Sequence, residues 1–245
     1  MCFVPPIAQD PTYHDFKDSL PYFGIPNYRD VISNLGFFLV GLAGVIGVSK
    51  FRLLDPRERV MWGIHFAAHL ITGLGSAYYH AAPSDARLVW DRLPLTAVIM
   101  SLVAIVIAER ISIRAGWRLL GPLLAAGFLS IVWWAAAGDL RPYALVQFAP
   151  MLCIPLLILL FPPRYSLVAG FAAVVALYAV AKACEYFDGE IFLALDRWAS
   201  GHTLKHLLAG LATAALLLMA AARKPLGMRN GESGIWNDDS SIPHS

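Results

Sequence analysis

Gly75-Ser76-Ala77-Tyr78-Tyr79-His80 closes one very apolar segment, and Trp90-Asp91-Arg92-Leu93-Pro94 opens the next. A hydroxyl, an imidazole and a carboxylate therefore stand where two oily stretches meet. Such groups are costly in a bilayer, and a chain that keeps them there generally uses them. The other cluster of comparable chemistry is His202-Thr203-Leu204-Lys205-His206, more than a hundred residues further on. Whether the two clusters meet decides both the architecture and the chemistry.

Composition sets the class. Hydrophobic residues make up 58% of the 245 and charged ones 15%, against roughly 45–50% and about 25% in soluble domains. Apolar runs recur, each long enough to cross a hydrocarbon layer of roughly 30 Å. A soluble helical protein would need helices with a polar face, and most of these runs have none. The chain reads as an all-α membrane protein. A net charge of +2 gives no reason to invoke nucleic acid. Cys2, Cys153 and Cys184 are scattered without a CxxC pair, and their odd number argues against a disulfide framework. The first 34 residues lack the basic patch and continuous apolar stretch of a secretory signal. Cys2 also lacks the apolar segment expected before a lipid-modified cysteine.

Residues 1–30, with five prolines and the acids Asp10, Asp15, Asp18 and Asp30, read as an ordered extramembrane arm capping one mouth of a bundle. Spans are expected near 31–49, 60–80, 91–108, 117–137, a fifth ending at 161, then 165–183 and 201–222, which makes a seven-transmembrane helix bundle over 31–222. Residues 223–245 read as a polar, disordered tail. Lys50, Arg52, Arg57, Arg59, Arg110, Arg114, Arg118 and Arg164 fall on the tail's side. Fewer cations fall on the arm's side, and this bias predicts a cytoplasmic tail and a non-cytoplasmic arm.

Span counting brings the clusters together. The second span exits on the arm's side at His80, the third enters there at Asp91, and the seventh enters there at His202 and His206. Ser76 and His80 are four residues apart, as are His202 and His206, so each pair shares a helix face. Two histidines one turn apart can hold one metal, a third from a facing helix completes the set, and a fourth position stays open for water. Asp91 would take a proton from that water, and Ser76 would assist the ligand or a developing oxyanion. The competing explanation is that these histidines pack or bridge helices. Lys205 falls on another face and is expected to reach towards the headgroups. His65 and His69 share the stripe of Ser76 and His80, yet His69 lies eleven residues from His80, about 16 Å along the axis, too far to share a metal. They read either as interior-facing, hydrogen-bonded histidines or as a second site or proton path with Glu109.

Tyr28 to Asn34, Gly73 to His80, Trp90 to Pro94 and Gly201 to His206 together resemble the alkaline ceramidase family, part of a superfamily of seven-span metal hydrolases that includes progestin and adipoQ receptors and GPI-lipid remodelling proteins. The resemblance spans nearly the whole chain. It implies a zinc ion on His80, His202 and His206, a water activated by Asp91 with Ser76 assisting, and hydrolysis of the amide of a ceramide or related N-acyl lipid within the bilayer. It also suggests a calcium site in the arm, with Asp15 and Asp18 at similar positions. Asn27 stands where the family carries a carboxylate and Asp30 follows a turn later, and fewer carboxylates weaken such a site. Solvated arm residues are the alternative for Asp15 and Asp18. Two other classes stay open: a lipid receptor or sensor of the same superfamily with little turnover, and a transporter using His65, His69, His80 and Asp91 as a proton relay. The absence of an internal repeat counts against the transporter.

Overall fold

The computed structural model describes residues 4–226. Cys2 and most of the expected tail, 227–245, lie outside the described residues. Among those described the chain is helical, with no strand and two isolated bridges. The helices are α1 (Tyr28–Ser33), α2 (Leu35–Gly47), α3 (Pro56–Ala81), α4 (Asp85–Arg110), α5 (Ile113–Ala137), α6 (Arg141–Leu160), α7 (Ala169–Tyr186), α8 (Asp188–Ala194) and α9 (Gly201–Ala222).

The starts follow local chemistry. Asp55 and Glu58 form a reciprocal capping box on α3. Ser84, Ser112 and Ser200 cap α4, α5 and α9 through their hydroxyls. Gly138 ends α5 in the left-handed region at φ 65°. The Ser84 cap moves the start of α4 forward to Asp85, so Asp91 lies inside the helix rather than at its entrance. α7 runs to Tyr186, and the stretch between the sixth and seventh expected spans contains α8.

Six helical segments are long and apolar enough to cross a membrane: Tyr28–Lys50, Asp85–Arg110, Ile113–Ala137, Arg141–Leu160, Ala169–Tyr186 and Gly201–Ala222. They fit a multi-pass membrane protein. The expected second span, α3, is a continuous helix of 26 residues but is not among the six. Arg57, Glu58, Arg59, His65, His69 and His80 lower its apolar character. The distribution of side chains is inverted relative to a soluble protein. Leu152, Leu159, Leu160 and Leu218 are mostly exposed, while His65, Ser76, His80, Glu109 and His206 are buried. Exposed Tyr78, Trp90, Trp133, Tyr186 and Trp198 gather near the arm's end of the helices, as an interfacial aromatic belt does.

α2, α3, α4 and α5 pack in sequence, α6 lies against α4, α7 lies against α9, and α9 closes on α2. α6 and α7 scarcely touch. Gln147 Nε2 of α6 donates to Tyr178 Oη of α7 at 3.2 Å across that gap. The half remote from the arm is filled by Trp62, Phe66, Val103, Ile105 and Leu216. The half near the arm is filled by Tyr79, Leu88, Ile131, Trp134 and Tyr143. Arg92 is buried among aromatic faces there, with its guanidinium 4.4 Å from the Trp134 ring and 4.8 Å from Tyr143.

The arm is tied to the bundle. Ile7 N–H donates to Asp139, and Leu140 N–H donates to the Ile7 carbonyl at 2.8 Å. Arg141 donates to the Val4 carbonyl and holds the Asp139 carboxyl well below the usual carboxylate range. At the opposite end the expected tail begins as ordered chain. Arg223 is buried, pairs with Glu109 and stacks 4.0 Å over the Tyr165 ring, while Ser166 and Leu226 N–H groups bond the Lys224 and Arg164 carbonyls. Residues 223–226 are therefore not disordered, because a buried carboxylate and two aromatic faces hold the first tail residue.

Candidate metal centre

His80 ends α3, and His202 and His206 sit one turn apart at the start of α9. All three are buried, and one ring nitrogen from each lies within 4.8 Å of the others. Among the described residues they form the single such group of three or more. His80 Nε2 and His202 Nε2 are 3.3 Å apart. A tetrahedral zinc with bonds of about 2.0–2.1 Å separates its nitrogens by about 3.3–3.4 Å, so this spacing fits a shared metal. The group could hold a metal ion.

The outer nitrogen of His206 is arranged for it. Ser33 donates its hydroxyl hydrogen to the Asp30 carbonyl at 2.9 Å and stands 2.8 Å from His206 Nδ1. With its hydrogen committed, Ser33 accepts from Nδ1–H, and His206 presents a bare Nε2 to the centre. Asp30 in turn accepts from Thr203 Oγ1 at 2.6 Å, which locks α1 to α9. Asp188 accepts from the His202 backbone N–H at 2.8 Å and fixes the first turn of α9.

Two glycines let the helices close. A side chain at Gly75 would put Cβ 2.1 Å from the Trp90 carbonyl oxygen. Pro94 has no N–H for that carbonyl, so the freed oxygen packs against Gly75 instead. Gly75 and Pro94 thus let α4 approach α3, and Asp91 and Ser76 stand in the wall of one cavity. A Cβ at Gly201 would lie 2.0 Å from the Cys184 carbonyl, so only glycine lets α9 start against the end of α7.

Ser76, Asp91, Lys205 and His206 line one cavity of about 80 Å³, with Tyr13, Tyr143, Lys182 and Glu185 also in its wall. Phe16 covers the three histidines from the arm, its ring 4.7 Å from His80 and 4.6 Å from His202.

Lys205 does not reach for the headgroups. Its ammonium points inward, 3.0 Å from Glu185 Oε1 and 3.0 Å from His202 Nε2, and a metal on that nitrogen would replace the second contact. Glu185 also accepts from Lys182 at 2.7 Å. A partly buried carboxylate on α7 outcompetes the distant interface for the ammonium. Lys182 and Glu185, three residues apart inside an apolar helix, were a signal in the sequence, but their partner lies on another helix.

Three of the four residues considered for calcium have other partners. Asp15 is exposed, Asp18 is paired with Arg29 at 2.8 Å, and Asn27 Nδ2 donates to the His80 carbonyl at 2.8 Å. Asp30 faces Thr203, and Asp15, Asp18 and Asp30 do not form a carboxylate cluster. Glu109 is committed to Arg223, so it does not join His65 and His69; Ser101 and Thr213 partner those histidines instead. Glu109 lies eight residues beyond Ser101 on α4, about 12 Å along the axis.

No family model matches this chain, and no curated protein matches it.

Proposed function

We propose that the chain is a seven-span membrane amidohydrolase that cleaves the amide of a ceramide or related N-acyl lipid at a zinc centre, releasing a long-chain base and a fatty acid. The observation that carries this reading is the convergence of three buried histidines from α3 and α9, one of which, His206, lines a cavity with Asp91 and Ser76. The resemblance to the alkaline ceramidases selects the lipid amide. α3 counts as the seventh span: its length suffices, and its polar groups face other helices instead of lipid. The basic loops favour a cytoplasmic tail and a non-cytoplasmic arm.

His80, His202 and His206 would hold the metal, which when bound lowers the pKa of a water and polarises a carbonyl. Asp91 takes the proton from the attacking water and returns it to the leaving nitrogen. Ser76, in the same cavity wall as that carboxylate, keeps it aimed and is a positioning residue. Lys205 supplies a cation in the cavity wall where negative charge grows on the carbonyl oxygen. Phe16 and the arm keep bulk water from the centre. A lipid enters sideways through the loosely packed α6–α7 gap.

The test measures zinc per protein and hydrolysis of a short-chain ceramide for wild type, His206→Ala and Asp91→Asn. About one zinc in wild type, its loss in His206→Ala, and retained zinc with a turnover loss of about 10²–10⁴ in Asp91→Asn are expected. Wild type without zinc sinks the metal reading. Zinc without turnover on any acyl-amide lipid moves the chain to the receptor class.

A further inference from the structure

The cavity beside the metal centre measures about 80 Å³, room for several waters and so for a carboxylate. Phe37, Thr72, Leu95, Gln147, Tyr178 and Ala209 border both it and a second cavity of about 130 Å³. The second is walled mainly by aliphatic side chains, with His65 and His69 also in its wall, and it suits an acyl chain. The polar end of a ligand therefore stays in the first cavity, whose wall decides what that end can be.

Two acids line the first cavity, Asp91 and Glu185, together with two lysines, Lys182 and Lys205. Glu185 is fully engaged: Oε2 accepts from Lys182 at 2.7 Å and Oε1 from Lys205 at 3.0 Å. One ammonium neutralises this carboxylate, and a second inside an apolar bundle is costly unless it has a further use. Two ammoniums and one carboxylate leave the trio with one positive charge. An ammonium has three N–H groups, and each lysine gives one to Glu185. The nearest other partner of Lys205 is His202 Nε2 at 3.0 Å, which a bound metal takes over. Lys182 otherwise faces rings, its ammonium 5.9 Å from Phe148 of α6 and 6.0 Å from Tyr178 of α7, at the gap between these helices. Neither side chain is sealed off, for they keep 30% and 19% of their surface. The trio's unused hydrogen-bonding capacity is thus donors alone, on side chains that border the cavity.

We propose that Lys182 and Lys205 form an anion subsite, and that the lipid held there bears a carboxylate beside its amide, as an N-acyl amino acid does. A ceramide offers hydroxyls at that position and leaves the surplus charge unanswered. Lys205 is the nearer contact, because its chain neighbour His206 and its side-chain partner His202 both belong to the three-histidine group. A carboxylate next to the amide at the metal centre is therefore within its reach. Lys182 shares the anion from the α6–α7 side. Hydrolysis of such a lipid adds one water across the C–N bond and releases a fatty acid and an amino acid. The subsite rests on the proposed lipid-amide reading only for where the carboxylate sits relative to the amide.

Direct binding separates the two claims. The probes are the sulfonamides of hexadecanesulfonic acid with glycine and with ethanolamine, which match in chain length and resist hydrolysis. Each competes with a fluorescent sulfonamide on the purified full-length protein in an uncharged detergent. The glycine compound is expected to bind wild type about tenfold more tightly, as charge-assisted hydrogen bonds are stronger than neutral ones. Lys182→Met should shrink that preference while Glu185 keeps Lys205 as its partner, and Lys205→Met should shrink it further. Lys182→Arg, which keeps the charge, should retain it. Equal affinity, a preference for the ethanolamine compound, or binding of neither overturns the subsite on wild type alone. A glycine preference undiminished in both methionine variants overturns it too. An acid preference in a protein that hydrolyses no lipid amide sustains the subsite and sinks the enzyme reading. Ceramide hydrolysis without the preference does the reverse.

Discussion

His206 illustrates how a ligand is set by a residue with no apparent chemistry of its own. Ser33, at the end of α1, accepts from Nδ1 and turns Nε2 to the centre. Ser33→Ala should leave the three imidazoles in place but lower metal affinity by about 10–100-fold, measured by competition with a chelator of known affinity. Unchanged affinity would show that packing against Phe37 alone orients the ring. At this scale the sequence was partly legible. Ser76 with His80, and His202 with His206, could be read because helical periodicity alone puts residues four apart on one face. The partners Ser33, Lys205 and Glu185 could not, because each acts across a helix boundary. The inward turn of Lys205 depends on a carboxylate twenty residues away on α7.

Between elements, the approach of α3 to α4 places the carboxylate. Gly75 accepts the Trp90 carbonyl that Pro94 leaves without a helical donor. Gly75→Ala should therefore cost about 1–3 kcal/mol by overpacking, seen as a lower unfolding midpoint. It should also cut turnover by about a hundredfold, since a shift of an ångström in a reacting group has that effect, while zinc content stays near wild type. Loss of zinc in parallel would mean that the glycine supports His80 rather than Asp91. The start of α4 was not read correctly. Trp90-Asp91 looked like an entrance because the polar groups and Pro94 cluster there, whereas Ser84 had already begun the helix.

For the whole molecule the number of crossings turns on α3. α3 carries the histidines that a lipid-facing helix would exclude, so it crosses as an interior helix or does not cross at all. Single cysteines at Leu54 and Ala86, in a background without the native ones, flank it. If α3 crosses, an impermeant thiol reagent labels Ala86→Cys on intact cells and Leu54→Cys only after permeabilisation. Labelling of both from one side would leave α3 outside the bilayer and remove the seventh span. The sequence by itself determined the helical membrane class, the positions of the polar residues and the pairs that share a face. These follow from composition and from backbone geometry that every helix has. Only the tertiary structure decided that the arm lays Phe16 over the three histidines, that Glu185 draws Lys205 inward, and that His65 and His69 border a separate cavity. Those outcomes depend on which helices are neighbours and how closely they approach, and that is set by long-range packing rather than by any local pattern.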